Sequence, residues 1–229
     1  MMTSVVVDVD DTLINTEPRM YSVWRELLGR EVPRKAVETL GVGQIFMEYA
    51  SPGQKARADV LRRRFWDLSL CLEEVGIELA ELDEPLPYAA EVLQKWCKHC
   101  KLVYLTGRTE NNRALTLRQL RKFGFPTENI QLVMFDLEDY AKVRGLNPSG
   151  STLVDAKSRL FKMISREQNV VRVVDDYPGY FGIYKQFGVP DRIGFLRPKR
   201  YSLQDYIDQG ATRVVESWKQ LEDDLPKAT

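Results

Sequence analysis

The sequence predicts an α/β chain: a doubly wound parallel sheet with a helical insert after its first strand. Three observations carry this. Short β-branched runs without polar alternation recur along the chain, amphipathic helical stretches separate them, and one long interval near the N-terminus stays helical in pattern with no strand.

The first run, Val5-Val6-Val7, stops abruptly at Asp8-Val9-Asp10-Asp11, as a strand covered on both faces would. From residue 16 to residue 84 the pattern is helical, so this interval is an insert, and 1–15 with 85–229 form the α/β core. Within the insert, Ala58, Leu61, Phe65, Leu68, Leu72 and Val75 recur at steps of three and four, which predicts one amphipathic helix over 54–75. Arg62, Arg63 and Arg64 are read as its solvated face. The core resumes with a helix over 88–96, a strand over 102–105 leading into Thr106-Gly107-Arg108, and a helix over 113–123 stopped by Gly124. Residues 130–135 form a further strand, Asn147-Pro148-Ser149-Gly150-Ser151 a loop, and 152–164 a helix. The run Val170 to Val174 is a strand ending in Asp175-Asp176. Ile193-Gly194-Phe195-Leu196 is a weaker strand candidate, because glycine interrupts it.

Composition narrows the function classes. With 229 residues, 44% hydrophobic and 29% charged, the chain has the profile of a folded domain with a small insert, not a disordered tail or a fibre. Thirty-three basic residues balance thirty-three acidic ones, so no global positive field exists for nucleic acid or an anionic membrane. No apolar stretch is long enough to span a bilayer, and the N-terminal run lacks the basic flank of a signal peptide. Cys71, Cys97 and Cys100 are too few for a disulfide framework, which predicts a reducing, cytoplasmic setting.

The chemistry gathers where strands end. Asp8 and Asp10 stand two apart, so in extended geometry both carboxylates point to one side. The carboxyl ends of parallel strands share one edge, which brings Asp175 and Asp176 to the same place. Four carboxylates there call for a hard cation with oxygen ligands, and Mg2+ shared with a substrate phosphate fits. On the helix over 152–164 the apolar stripe runs through Leu153, Val154, Leu160, Phe161 and Ile164, and Lys157 falls on it whereas Lys162 does not. A lysine on a buried face needs an anion, so Lys157 is a candidate site residue. Thr106, before Gly107, offers a hydroxyl and neighbouring N–H groups to a phosphate oxygen.

Asp8-Val9-Asp10-Asp11-Thr12-Leu13 resembles the first motif of the haloacid dehalogenase superfamily. Thr106 resembles its second motif, Lys157 its third and Asp175-Asp176 the paired-aspartate form of its fourth. The resemblance spans most of the chain. It implies a Rossmann-like core, with Asp8 as the nucleophile that forms an aspartyl-phosphate and Asp10 as the general acid and base. It implies Mg2+ held by Asp8, the Asp10 carbonyl and an aspartate of the 175–176 pair, with Thr106 and Lys157 on the phosphoryl oxygens and Thr12, Gly107 and Arg108 near the substrate. Dehalogenases of the superfamily lack the second aspartate, so Asp10 points to phosphoryl transfer. The insert matches the family's helical C1 cap, which closes over small substrates and implies a small phosphorylated metabolite.

The stretch from Thr106 through Thr116, Leu120 and Gly124 to Lys157, Asp175-Asp176 and Lys185–Val189 is also similar in layout to the phosphatase half of polynucleotide kinase-phosphatases. That keeps a nucleotide or a 3′-phosphorylated nucleic-acid end as the alternative substrate, with Arg108 at the leaving group or simply exposed. A regulatory protein of the same fold without turnover is a further alternative. Cys97-Lys98-His99-Cys100 has no second ligand pair for zinc, and no GxxxxGK(S/T) loop is present.

Overall fold

The computed structural model describes residues 3–138, 153–197 and 200–226; the loop expected at 147–151 and the first residue of the helix expected at 152 lie outside them. In chain order the strands are β1 (Ser4–Val7), β2 (Ile14–Asn15), β3 (Glu84–Pro85), β4 (Lys101–Thr109), β5 (Gln131–Phe135), β6 (Val170–Asp175), β7 (Asp191–Phe195) and β8 (Arg213–Val215). Six of them make one sheet in the order β5-β4-β1-β6-β7-β8, and every neighbouring pair is parallel. The β2 and β3 segments form a separate two-stranded ribbon. The chain starts at the centre of the sheet, builds outward through β4 and β5, then returns to the other side of β1 for β6, β7 and β8. This is a Rossmann-like, doubly wound core, and its strand order reverses beside β1.

Both faces of the sheet are covered, which explains the unbroken apolar runs. Val5, Val7, Leu102 and Tyr104 face a core completed by Ala89, Val92, Leu93, Trp96 and Leu120. Val6, Val103, Leu105 and Val173 face the opposite core, filled by Phe161, Ile164, Phe181, Tyr184 and Tyr206. The helices over Ala89–Trp96 and Arg113–Lys122 thus serve one face, and those over Leu153–Glu167, Phe181–Gln186 and Leu203–Gln209 the other. The strand weakened in the sequence by Gly194 does form, and the glycine has a packing cause. A Cβ at Gly194 would stand 2.5 Å from Cδ1 of Tyr206, whose ring lies against the strand.

The contacts divide the chain into two compact units: Met1–Ile14 with Pro85–Arg197 and Tyr201–Thr229, and Asn15–Glu84 with Pro198–Arg200. The second unit is helical, with Glu17–Leu28, Arg34–Thr39, Val42–Tyr49, Pro52–Lys55, Ala58–Ser69 and Glu74–Leu79. Its core is aromatic: Trp24 lies 5.0 Å from Phe46 and 4.6 Å from Phe65, centroid to centroid. The single helix expected over 54–75 is not formed. The helix ends at Ser69, Cys71 takes a positive φ of 55°, and the next helix begins at Glu74. Gly76 explains the break, since a Cβ there would lie 2.5 Å from the Leu68 carbonyl oxygen; the second helix folds back tightly on the end of the first. Phe65 and Leu68 are buried as the periodicity required, whereas Ala58 is exposed. Arg62, Arg63 and Arg64 are exposed, with Arg62 paired to Asp59 at 2.8 Å.

Candidate active site

The site begins where β1 ends. The Asp8 N–H donates to the Val174 carbonyl at 3.0 Å, which ties the residue after β1 to β6 at the point where strand order reverses. Two residues later the chain turns: the N–H groups of Leu13 and Ile14 both donate to the Val9 carbonyl, and Asp11 sits at φ 58°. Aspartate tolerates that left-handed conformation better than most residues. The turn is held by the Trp218 indole N–H on the Thr12 carbonyl at 2.7 Å.

Asp8, Asp175 and Asp176 each bring a carboxylate oxygen to within 4.8 Å of the others. Lys157, 1% exposed, reaches across from its helix and donates to Asp8 Oδ1 at 2.8 Å and to Asp175 Oδ2 at 2.6 Å. Its ammonium also lies 4.1 Å from the centroid of the Tyr180 ring. Asp175 is further held by the Tyr184 hydroxyl on Oδ2 at 2.6 Å and the Tyr177 N–H on Oδ1 at 3.0 Å. Asp176 takes a long contact from the Thr12 hydroxyl, 3.5 Å.

Electrostatics here is dominated by crowded negative charge. Burial pushes the Asp8 carboxyl up to about 7; Lys157 opposes that rise, and Asp175 and Asp10 add to it. Burial, then Asp8 and Asp175, hold Asp176 well above the ordinary carboxylate value. Burial works against the Lys157 ammonium, but Asp175 and Asp8 outweigh it and keep the lysine charged. One ammonium among three carboxylates leaves an excess of negative charge, so the donor set fits a hard divalent cation. Among the described residues this is the one cluster of carboxylate, histidine or thiol groups suited to a metal; Cys97, His99 and Cys100 make none.

The fourth expected carboxylate is not in that cluster. Asp10 faces Arg108, whose Nε lies 3.0 Å from each of its oxygens and whose Nη2 lies 2.6 Å from Oδ1. Arg108 is therefore not exposed, one of its two expected settings, but 6% exposed and embedded between Asp10, Thr116 and Gln119. Thr106 is fully buried, and its Oγ1 accepts the Arg108 N–H at 3.1 Å, which leaves the hydroxyl proton for another acceptor. Gly107 is half-buried between them. Thr12 has no exposed surface and stands behind Asp176. Lys162 is exposed, as its place off the stripe required.

Tyr180, Tyr184 and Gln119 were not singled out by the sequence reading. Gln119 had a usable signal: Thr116 and Gln119 are polar residues three apart on the inward face of the helix that buries Leu120. Tyr180 and Tyr184 read as ordinary core aromatics, and nothing in their spacing marks their neighbours as charged.

The family model of haloacid dehalogenase-like hydrolases matches residues 2–176, from the first strand through both members of the aspartate pair. The chain belongs to this family. No curated protein matches it significantly. Among solved structures, this hydrolase is similar to a predicted phosphatase from Clostridium acetobutylicum, with TM-score 0.62, 15% identity and 97% of each chain covered. It is also similar to a haloacid dehalogenase-like family hydrolase from Streptococcus pneumoniae, with TM-score 0.60, 12% identity and 96% of each chain covered. A third is a hydrolase of the family from Deinococcus radiodurans R1 with bound phosphate and sodium: TM-score 0.60, 16% identity, 96% of this chain and 93% of that one. At these identities the likeness is one of fold, and it extends over 96–97% of this chain.

Proposed function

We propose that this hydrolase is a Mg2+-dependent phosphatase that cleaves a phosphate monoester through an aspartyl-phosphate, acting on a small phosphorylated metabolite. The observation that carries the reading is Asp8, placed on a buried edge with Lys157 at 2.8 Å and two further carboxylates beside it. A nucleophile so placed needs cationic help to meet a phosphate of roughly −1.5 to −2 charge, and the site combines an ammonium with ligands for a metal. The phosphate bound in the Deinococcus relative supports the same chemistry.

In this mechanism an Asp8 oxygen attacks phosphorus and the bond from phosphorus to the leaving oxygen breaks. Asp10 gives that oxygen its proton, so an alcohol departs and Asp8 carries the phosphoryl group. Water then attacks phosphorus, Asp10 takes its proton back, and the bond to Asp8 breaks to release phosphate. Lys157 and the Thr106 hydroxyl hold the phosphoryl oxygens, with the Gly107 N–H beside them. Asp8, the Asp10 carbonyl and the 175–176 pair would hold Mg2+, which supplies charge compensation and orientation to the phosphoryl group. Asp175, already accepting from Lys157, Tyr184 and Tyr177, is the less available of the pair, which favours Asp176 as the ligand.

The helical unit Asn15–Glu84 is, in this reading, the cap that selects the leaving group. No helix among the described residues is long and apolar enough to cross a membrane. Cys71, Cys97 and Cys100 form no disulfide, which supports a reducing, cytoplasmic setting.

The test is phosphate release from sugar phosphates, nucleotides, phosphorylated short acids and a 3′-phosphorylated oligonucleotide, with Mg2+ and with chelator, beside Asp8→Asn. Metal-dependent release that the variant lacks supports the reading, and the best substrate decides between metabolite and nucleic-acid end. Undiminished release by Asp8→Asn removes the nucleophile assignment.

A further inference from the structure

We infer that Arg108 is the positioning residue for the Asp10 carboxylate, and that Thr116 and Gln119 hold Arg108 to that task. The role of Asp10 as proton carrier rests on the phosphatase reading; the role of Arg108 rests on geometry. Asp10 leaves the turn after β1 with a side chain 32% exposed, so on its own it would sample several rotamers. Proton transfer needs it within about 3 Å of one oxygen. The Arg108 side chain, 7% exposed, supplies the constraint by approaching with Nε on both oxygens and Nη2 on one.

A fork of donors fixes the plane of a carboxylate as a single ammonium cannot. The fork is itself fixed from behind. Nη1 donates to Thr116 Oγ1 at 3.4 Å and to Gln119 Oε1, both on one helix and both buried, at 0% and 2% exposure. Arg108 also follows Thr106 closely enough that its N–H donates to Oγ1 of that residue, so one segment places a phosphate-facing hydroxyl and the guanidinium that orients Asp10. These contacts turn Arg108 toward Asp10.

The consequence is specific to one chemical event. When the alcohol leaves, the Asp10 proton moves to its oxygen as the P–O bond breaks. An alkoxide cannot depart without that proton, whereas 4-nitrophenolate can. Loosening Arg108 therefore penalises alkyl phosphates and spares aryl phosphates, and kcat/KM reports this first half-reaction alone.

The variants are Arg108→Lys, Thr116→Val and Gln119→Leu, assayed with the best alkyl phosphate of the panel and with 4-nitrophenyl phosphate. We expect kcat/KM to fall about 30-fold or more for the alkyl ester and less than about threefold for the aryl ester. Lysine should not rescue, because it keeps the charge and loses the fork. Equal losses on both esters would overturn the inference, since a residue that binds the phosphoryl group or merely supports the fold does not distinguish leaving groups. A second arm needs no turnover: the side-chain Nε–H of Arg108, followed by 15N NMR in chelated protein, should be slow to exchange and should shift in Asp10→Ala. A resonance unmoved by Asp10→Ala overturns the contact. If the wild type releases no phosphate from any ester, the phosphatase reading fails, and the NMR arm still decides the geometry.

Discussion

Replacing Asp8 by asparagine should end turnover and, in metal-free protein, raise stability. Burial, with Asp175 and Asp10 adding to it and Lys157 opposing, moves the Asp8 carboxyl from 3.8 to about 7. An acid whose folded pKa lies above its unfolded value binds its proton more tightly when folded. Its penalty is therefore absent below pH 3.8, grows as pH rises, and is complete above about 7. The gap corresponds to on the order of 4 kcal/mol. Asparagine resembles the protonated acid and does not ionise, so at pH 8 in chelator the variant should be more stable by about that amount. For a chain of this size that is roughly 8–16 °C in Tm. At pH 4 the two proteins should melt together. Added Mg2+ should stabilise the wild type more than the variant and narrow the gap. The assay is thermal unfolding at pH 4 and pH 8, with chelator and with Mg2+. A variant that melts at or below the wild type at pH 8 in chelator would refute the account of the site as an excess of buried negative charge.

Lys157→Met removes the ammonium between Asp8 and Asp175, and breaking a buried pair of this kind should cost about 3–5 kcal/mol in chelated protein together with most of the activity. Lys162→Met, at an exposed position of the same helix, should stay within about 0.5 kcal/mol of wild type in urea unfolding. Gly194→Ala drives a methyl group into the Tyr206 ring and should lower stability by about 1–3 kcal/mol, read as a shift in the urea midpoint. Far from the site, burial disfavours the Asp224 carboxylate, but hydrogen bonding from Arg213 and the nearness of Arg172 prevail and hold its pKa below the ordinary value. The stability that follows is full above 3.8 and lost as pH falls through the folded value, so Asp224→Asn should flatten the acid limb of a stability profile below pH 4.

Strands with continuous apolar runs were legible because burial on both faces leaves no room for polar alternation: the runs at 5–7, 102–105 and 170–174 lie in the sheet, and the run at 130–135 does so from Gln131. β8 escaped because three residues, two of them half-buried, carry too little pattern. The helix expected over 54–75 shows the opposite failure. Periodicity measures which side of a segment is apolar, and two helices folded at Cys71 and Gly76 can share one apolar side as well as a single helix can. Lys157 was legible for a physical reason: a charge on an apolar stripe cannot be left without an anion, and the stripe identified the face. Asp10 was misplaced among the clustered carboxylates because extended geometry was assumed to persist beyond β1, where the chain in fact turns.

That turn makes chemical sense of two aspartates so close in sequence. Asp8 shares one ammonium with Asp175 and stands beside Asp176, in a setting short of positive charge. Asp10, two residues on, meets a guanidinium that donates to both of its oxygens. A nucleophile benefits from the first setting, because an incoming metal and phosphoryl group relieve its crowded charge. A proton carrier needs the second, because its task is to stay oriented while its protonation state changes. Sites that must run nucleophilic and acid–base chemistry with one residue type separate the two by environment. Here the two environments are set by different partners: Asp8 lies beside β6 with Lys157, and Asp10 lies against Arg108 near the end of β4.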